Sequence, residues 1–217
     1  MTRIPTDGIL FDLDGTLWDS SQPVAESWNQ TLARFPGMGQ QFTAQDVQSV
    51  MGLLAHEVGE RLLSHLPPEK RAEMTELCVQ EENDYLRQHG GQLYEGLEPT
   101  LARLKARCPL FIVSNCQVGY IEAFLHFHRL GGCFQDFVGA GHTGLPKADN
   151  IALMVRRHGL RAPVYLGDTL GDCRAAKAAG VPFLHAAYGF GDVPGETQVP
   201  ALSALPEFLC SVQGEPF

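Results

Sequence analysis

From residue 98 onward, short apolar runs alternate with helix-like stretches, and this alternation restricts the fold more than any other feature. Pro109-Leu-Phe-Ile-Val113, Phe137-Val-Gly139, Pro163-Val-Tyr-Leu166 and residues 181–187 read as strands. Residues 98–107, 120–130, 147–158 and 172–179 carry helical spacing, and a last short helix is expected over 203–212. Strands that alternate with helices build a parallel sheet covered on both faces. With right-handed crossovers the result is an α/β, doubly wound, three-layer Rossmann-like fold. Residues 8–13, Gly-Ile-Leu-Phe-Asp-Leu, supply one more buried strand near the start.

Between that first strand and residue 91 the rhythm is helical only. Ser20-Ser21-Gln22-Pro23 is a helix start, with Asp19 and Ser20 as capping residues and a proline in the first turn. Val24, Trp28, Leu32 and Phe35 then share one face. Further helices are expected over 43–51, 53–66 and 67–89, the last amphipathic through Met74, Leu77, Cys78, Tyr85 and Leu86. Gly90-Gly91 ends the pattern. The expected organisation is a discontinuous core, 1–17 and 91–217, with residues 18–90 inserted as an all-helical cap.

The hydrophobic fraction of 44% and charged fraction of 19% are those of an ordinary globular chain. No apolar run reaches membrane-spanning length. Met1-Thr-Arg-Ile-Pro runs straight into a strand-like segment, so a cytoplasmic protein is expected. The six cysteines form no CxxC pair and read as buried free thiols of a reducing compartment. A net charge of −9 without a basic run argues against nucleic acid and anionic membrane as partners. The same charge is awkward for an anionic substrate unless a cation helps locally. No signal of oligomeric state is present.

In doubly wound sheets, ligands bind outside the carboxyl ends of the strands. This chain ends its first strand with Asp12 and Asp14. It ends Phe111-Ile-Val113 with Ser114 and Asn115, and Val164-Tyr-Leu166 with Gly167 and Asp168, followed by Asp172. Lys147 opens the helix after the Phe137 strand. Carboxylates converging at one edge repel unless a cation sits among them. All-oxygen ligation suits Mg2+, which commonly binds through one or two carboxylates, water and substrate phosphate. Lys147 and the Ser114 hydroxyl suit a phosphate, and the Gly15-Thr16 backbone adds an anion cradle. Aspartate is a known covalent nucleophile toward phosphoryl groups. The chemistry implied is phosphoryl transfer from a small phosphorylated metabolite.

Four segments, in order, resemble the motifs of the haloacid dehalogenase superfamily of phosphatases. Phe11-Asp12-Leu13-Asp14-Gly15-Thr16-Leu17 matches the first, Val113-Ser114-Asn115 the second, Lys147 the third and Gly167-Asp168-Thr-Leu-Gly-Asp172 the fourth. The third motif is often Lys-Pro in the family, whereas here Pro146 precedes Lys147 and Ala148 follows it. The helical insert looks like the small-molecule cap of phosphoglycolate phosphatase-like members. The resemblance implies that Asp12 is the nucleophile and Asp14 the acid/base. It implies Mg2+ on the Asp12 and Asp168 carboxylates and the Asp14 backbone carbonyl. It further implies that Ser114, Asn115, Thr16 and Lys147 bind phosphate, with Asp172 just behind, orienting Lys147 or a metal-bound water. Specificity is expected from the cap, around residues 52–57. The rivals are a β-phosphoglucomutase-like phosphomutase and a non-catalytic regulatory protein on the same fold. A dehalogenase proper lacks the second motif aspartate, so Asp14 argues against it.

Overall fold

The computed structural model describes residues 3–38 and 40–217. The chain opens with β1 (Ile4–Pro5) and β2 (Gly8–Phe11), and a short β3 (Trp18–Asp19) follows. Four helices come next: α1 (Ser21–Ala33), α2 (Ala44–Gln48), α3 (Ala55–Leu62) and α4 (Pro68–His89). β4 (Gln92–Leu93) leads into α5 (Leu97–Lys105), β5 (Leu110–Ser114) and α6 (Tyr120–Phe127). Then come β6 (Asp136–Gly139), α7 (Ala140–Thr143), α8 (Lys147–His158), β7 (Pro163–Gly167) and α9 (Leu170–Ala178). The chain finishes with β8 (Phe183–Ala186), β9 (Gln198–Val199), a 3-10 helix over Leu202–Phe208 and β10 (Leu209–Cys210).

Six strands form one parallel sheet in the order β6-β5-β2-β7-β8-β9. The chain builds outward from β2 in one direction, then returns to build outward in the other. This reversal opens a crevice at the carboxyl ends of β2 and β7, the topological switch point of a doubly wound sheet. The expected fold class is therefore the observed one.

Strand residues alternate between two apolar layers, as a period of two requires. Ile9, Phe11, Ile112 and Leu166 join one layer; Leu10, Phe111, Val113 and Tyr165 join the other with Ile151, Met154 and Ala176 of α8 and α9. All eight strand residues are fully buried. Each contributes about 1.5–3 kcal/mol through removal from water. Because both faces are covered, the strands read as continuous apolar runs rather than alternating ones.

Between β3 and β4, the helices α1 and α4 pack on each other, with α2 on α1 and α3 on α4. β3 and β4 pair antiparallel, Trp18 opposite Leu93, and so form the two-stranded stem from which the helices depart. Gly91 sits against this stem: a Cβ there would lie 2.8 Å from the Asp19 carbonyl oxygen and 2.9 Å from the Trp18 ring. The glycine pair that broke the helical pattern is thus a packing requirement.

Several boundaries differ from expectation. The first strand stops at Phe11, because the Leu13 carbonyl already accepts the Leu17 N–H in a tight turn. The helices expected over 43–51 and 53–66 are shorter, since Val50, Leu63 and Leu66 are buried from turns that extend the apolar period beyond the helices. The helix expected over 203–212 is a 3-10 turn containing Pro206, which lacks an N–H and cannot sustain an α-helix. Leu209–Cys210 instead pairs with Ile4–Pro5. No helix among the described residues is long and apolar enough to cross a membrane.

Candidate active site

Asp12 follows β2 directly. Its backbone N–H donates to the Leu166 carbonyl at 2.9 Å, continuing the β2–β7 ladder and fixing the residue at the switch point. Across the crevice, Asp168 follows β7. Lys147, first residue of α8, reaches between them: its Nζ lies 2.9 Å from Asp12 Oδ1 and 2.5 Å from Asp172 Oδ1. Asp172 is fixed twice over, since it also closes a capping box on α9. Its Oδ2 accepts from the Thr169 N–H at 3.0 Å and hydroxyl at 2.6 Å, while Thr169 Oγ1 accepts from the Asp172 N–H.

These four charged groups are buried. Asp12, Asp168 and Asp172 each offer an oxygen within 4.8 Å of the others. One ammonium faces three carboxylates, so the cluster carries an excess of negative charge in a low-dielectric setting, which is costly unless a cation answers it. The titration behaviour reflects this. Burial and the Asp172 charge hold Asp12 well above the usual carboxylate range, against the pull of Lys147. Burial, with Asp172, pushes Asp168 up to about 7. Burial works to raise Asp172 as well, but Lys147 and Thr169 outweigh it and keep that carboxyl low. Asp168 Oδ2 accepts the Phe190 N–H at 2.8 Å, while its Oδ1 is buried without a hydrogen-bond partner.

Asp14 faces elsewhere. Its Oδ1 accepts from Ser20 Oγ at 2.6 Å and Tyr120 Oη at 2.9 Å, and those two hydroxyls are 2.7 Å apart. Burial pushes its carboxyl up to about 6, the two hydroxyls pulling the other way. Ser20 therefore does not cap α1 with its side chain. Asp19 does, accepting the Ser21 N–H at 2.9 Å. The turn between the two aspartates depends on Gly15, whose φ is +74°. A Cβ there would lie 2.1 Å from Asp168 Oδ2.

Ser114 ends β5 in a buried position beside this crevice. Thr16 is fully buried with an unpartnered hydroxyl. Asn115 Nδ2 donates at 2.8 Å to the carbonyl of Gly52, in the turn between α2 and α3. It thereby joins the loop after β5 to the helical insert. Gln117 and Asn83 make the same connection, Gln117 Nε2 donating to Glu82 Oε1 at 2.9 Å and Asn83 Nδ2 to the Val118 carbonyl at 2.8 Å.

A cavity of about 60 Å³ lies along this seam, bounded by Asp14, Ser114 and Tyr120 on one side and by the helices of the insert on the other. Glu82 of α4 lines it, buried among apolar residues. Trp28 Nε1 donates to its Oε2 at 2.5 Å, and burial pushes the carboxyl up to about 7. Tyr120, Ser20, Glu82 and Gln117 were not anticipated from the sequence. Only Glu82 left a signal there, standing on the buried stripe with Cys78 and Leu86.

Residues 9–186 match a family model described as haloacid dehalogenase-like hydrolase. A phosphoglycolate phosphatase of Vibrio cholerae is 32% identical over 216 residues, covering 93% of this chain and 91% of that protein. Among solved structures, a haloacid dehalogenase-like hydrolase from Streptococcus pneumoniae superposes with a TM-score of 0.76 at 23% identity, over 93% of this chain and 98% of that one. CbbY from Rhodobacter sphaeroides, solved in complex with phosphate, gives 0.75 at 21% identity, over 92% and 96%.

Proposed function

The chain belongs to the haloacid dehalogenase-like hydrolase family as a phosphatase, and we propose that it hydrolyses a small-molecule phosphomonoester with Mg2+ through an aspartyl-phosphate on Asp12. The observation that carries this reading is the buried cluster of Asp12, Asp168 and Asp172 around Lys147.

The donor set fits Mg2+. The oxygens are hard and anionic, and Asp168 Oδ1 is buried and lacks any hydrogen-bond partner. Asp12 and Asp168 would hold the ion through carboxylates and Asp14 through its backbone carbonyl, with Asp172 at their side. When bound, the ion supplies charge that lets a carboxylate approach a phosphate dianion and that offsets charge developing in the transition state.

The chain's own groups do the rest. Asp12 attacks phosphorus, the bond to the leaving oxygen breaks, and Asp14 gives that oxygen its proton. The raised pKa of Asp14, about 6, keeps a protonated fraction available near neutral pH. Asp14 then takes a proton from the water that attacks phosphorus and releases Asp12. Lys147, tethered by Asp172, and Ser114 hold the transferring oxygens, with Thr16 beside them. Asn115, engaged with Gly52, serves the seam more than the phosphate.

Residues 18–90 act as a cap on the crevice, in keeping with the seam bonds of Asn115, Gln117 and Asn83. The substrate is a metabolite rather than nucleic acid or a membrane lipid, and six free thiols suit a cytoplasmic setting. The test is release of inorganic phosphate from a panel of metabolite phosphates with Mg2+, abolished by EDTA. Isomerised sugar phosphate with little free phosphate would contradict hydrolysis in favour of a mutase.

A further inference from the structure

The cavity on the cap side of Asp14 has a composition that bears on the leaving group. Its walls are apolar for the most part, with Trp28, Val47, Met51 and Leu62 among them. Its charged lining residues are Asp14 and Glu82, both acidic, and no lysine, arginine or histidine lines it among the described residues. His56 and Arg71 of the insert line a different groove, along α3 and α4.

Glu82 is built in rather than incidental. It is 5% exposed, and each of its oxygens is held by a donor, Trp28 from α1 and Gln117 from the loop after β5. A buried carboxylate oriented by two donors keeps lone pairs for a further donor and repels an acceptor. The charges of Asp14 and Glu82 act on one another across this space. A substrate carboxylate placed here would meet two acidic side chains and no cation. The space is also small. About 60 Å³ between the core and the insert suits a short group.

Resting on the phosphatase reading above, we propose that the preferred substrates are phosphomonoesters of short, largely apolar alcohols without an acidic group, and that Glu82 determines this by excluding carboxylates. The chain then differs in substrate class from the phosphoglycolate phosphatases it is similar to, because a phosphoglycolate carboxylate would have to enter the space that Asp14 and Glu82 line.

The test uses the full-length protein with Mg2+ and compares kcat/KM for propyl phosphate, ethyl phosphate and 2-phosphoglycolate, with p-nitrophenyl phosphate as reference. The expected result is that both non-acidic esters exceed phosphoglycolate by about tenfold or more, the scale of an uncompensated like-charge contact. Glu82→Gln, which keeps an acceptor for Trp28, should narrow that ratio by about tenfold. A wild-type preference for phosphoglycolate overturns the inference, and this comparison needs no variant to fold. An unchanged ratio in a folded Glu82→Gln protein overturns it as well. Turnover of p-nitrophenyl phosphate with all three short esters refused also overturns it, while leaving the phosphatase reading intact. Absence of turnover on all four esters overturns that reading and the inference together.

Discussion

At the scale of single residues, Gly15 shows how tightly the crevice is built. It supplies the left-handed turn that sets Asp14 apart from Asp12, and its missing Cβ makes room for the Asp168 carboxylate. Gly15→Ala should therefore cost more than the ~1–2 kcal/mol of a left-handed alanine, because Asp168 must also move. The expected outcome is a lower unfolding midpoint together with loss of most phosphate release. A variant with wild-type midpoint and turnover would show that the close approach is not needed. Asp12, Asp168 and Ser114 stand out in the sequence because each follows or ends an apolar run, and Lys147 because it opens the helix after the Phe137 strand. Tyr120 and Ser20 were not, because their partnership with Asp14 exists only after α6 and the stem come together. Asn115 resembled a phosphate ligand by position, and only the folded chain turns its amide toward Gly52.

At the scale of elements, α9 links a helix cap to the chemistry. The Thr169 and Asp172 side chains satisfy the first turn of α9, and the other oxygen of Asp172 holds Lys147. Thr169→Ala should lower stability by about 1 kcal/mol, as N-cap losses do. It should also lower kcat more than it raises KM, since Lys147 loses its fixed tether. Denaturant unfolding and steady-state kinetics measure the two effects; a stability loss with unchanged kcat would confine Asp172 to the cap. The main strands and helices were readable because each carries a full period of its pattern. Two-residue strands such as β9 and β10 carry no period, so pairing with β8 and β1 decides them. The 3-10 helix shows the opposite case: its apolar residues have a helical look, while Pro206 withholds a needed donor.

At the scale of the whole molecule, the crevice stores unfavourable charge. Burial raises the carboxyls of Asp14, Asp168 and Glu82 to about 6, 7 and 7. The sign follows from linkage: groups with raised folded-state values favour the native state most at low pH, and that contribution is lost as pH rises through 6 to 7. Without metal, the melting temperature should fall between pH 5 and pH 8. At about 1.4 kcal/mol per pKa unit and roughly 2–4 °C per kcal/mol for a chain of this size, the fall is on the order of ten degrees or more. Added Mg2+ should recover part of it at pH 8 and little at pH 5, where Asp168 is protonated. A flat pH profile, or equal recovery at both values, would contradict a cation role for the cluster.

The proposed chemistry turns on Asp12 as the carrier of the phosphoryl group. The direct measurement is mass spectrometry of wild-type and Asp12→Asn protein, acid-quenched during turnover with Mg2+ and a hydrolysed ester, alongside phosphate release. The expected result is a phosphoryl group on the peptide containing Asp12 in the wild type, and neither modification nor appreciable turnover in the variant, because an amide is a poor nucleophile. Sustained phosphate release by folded Asp12→Asn protein would contradict it.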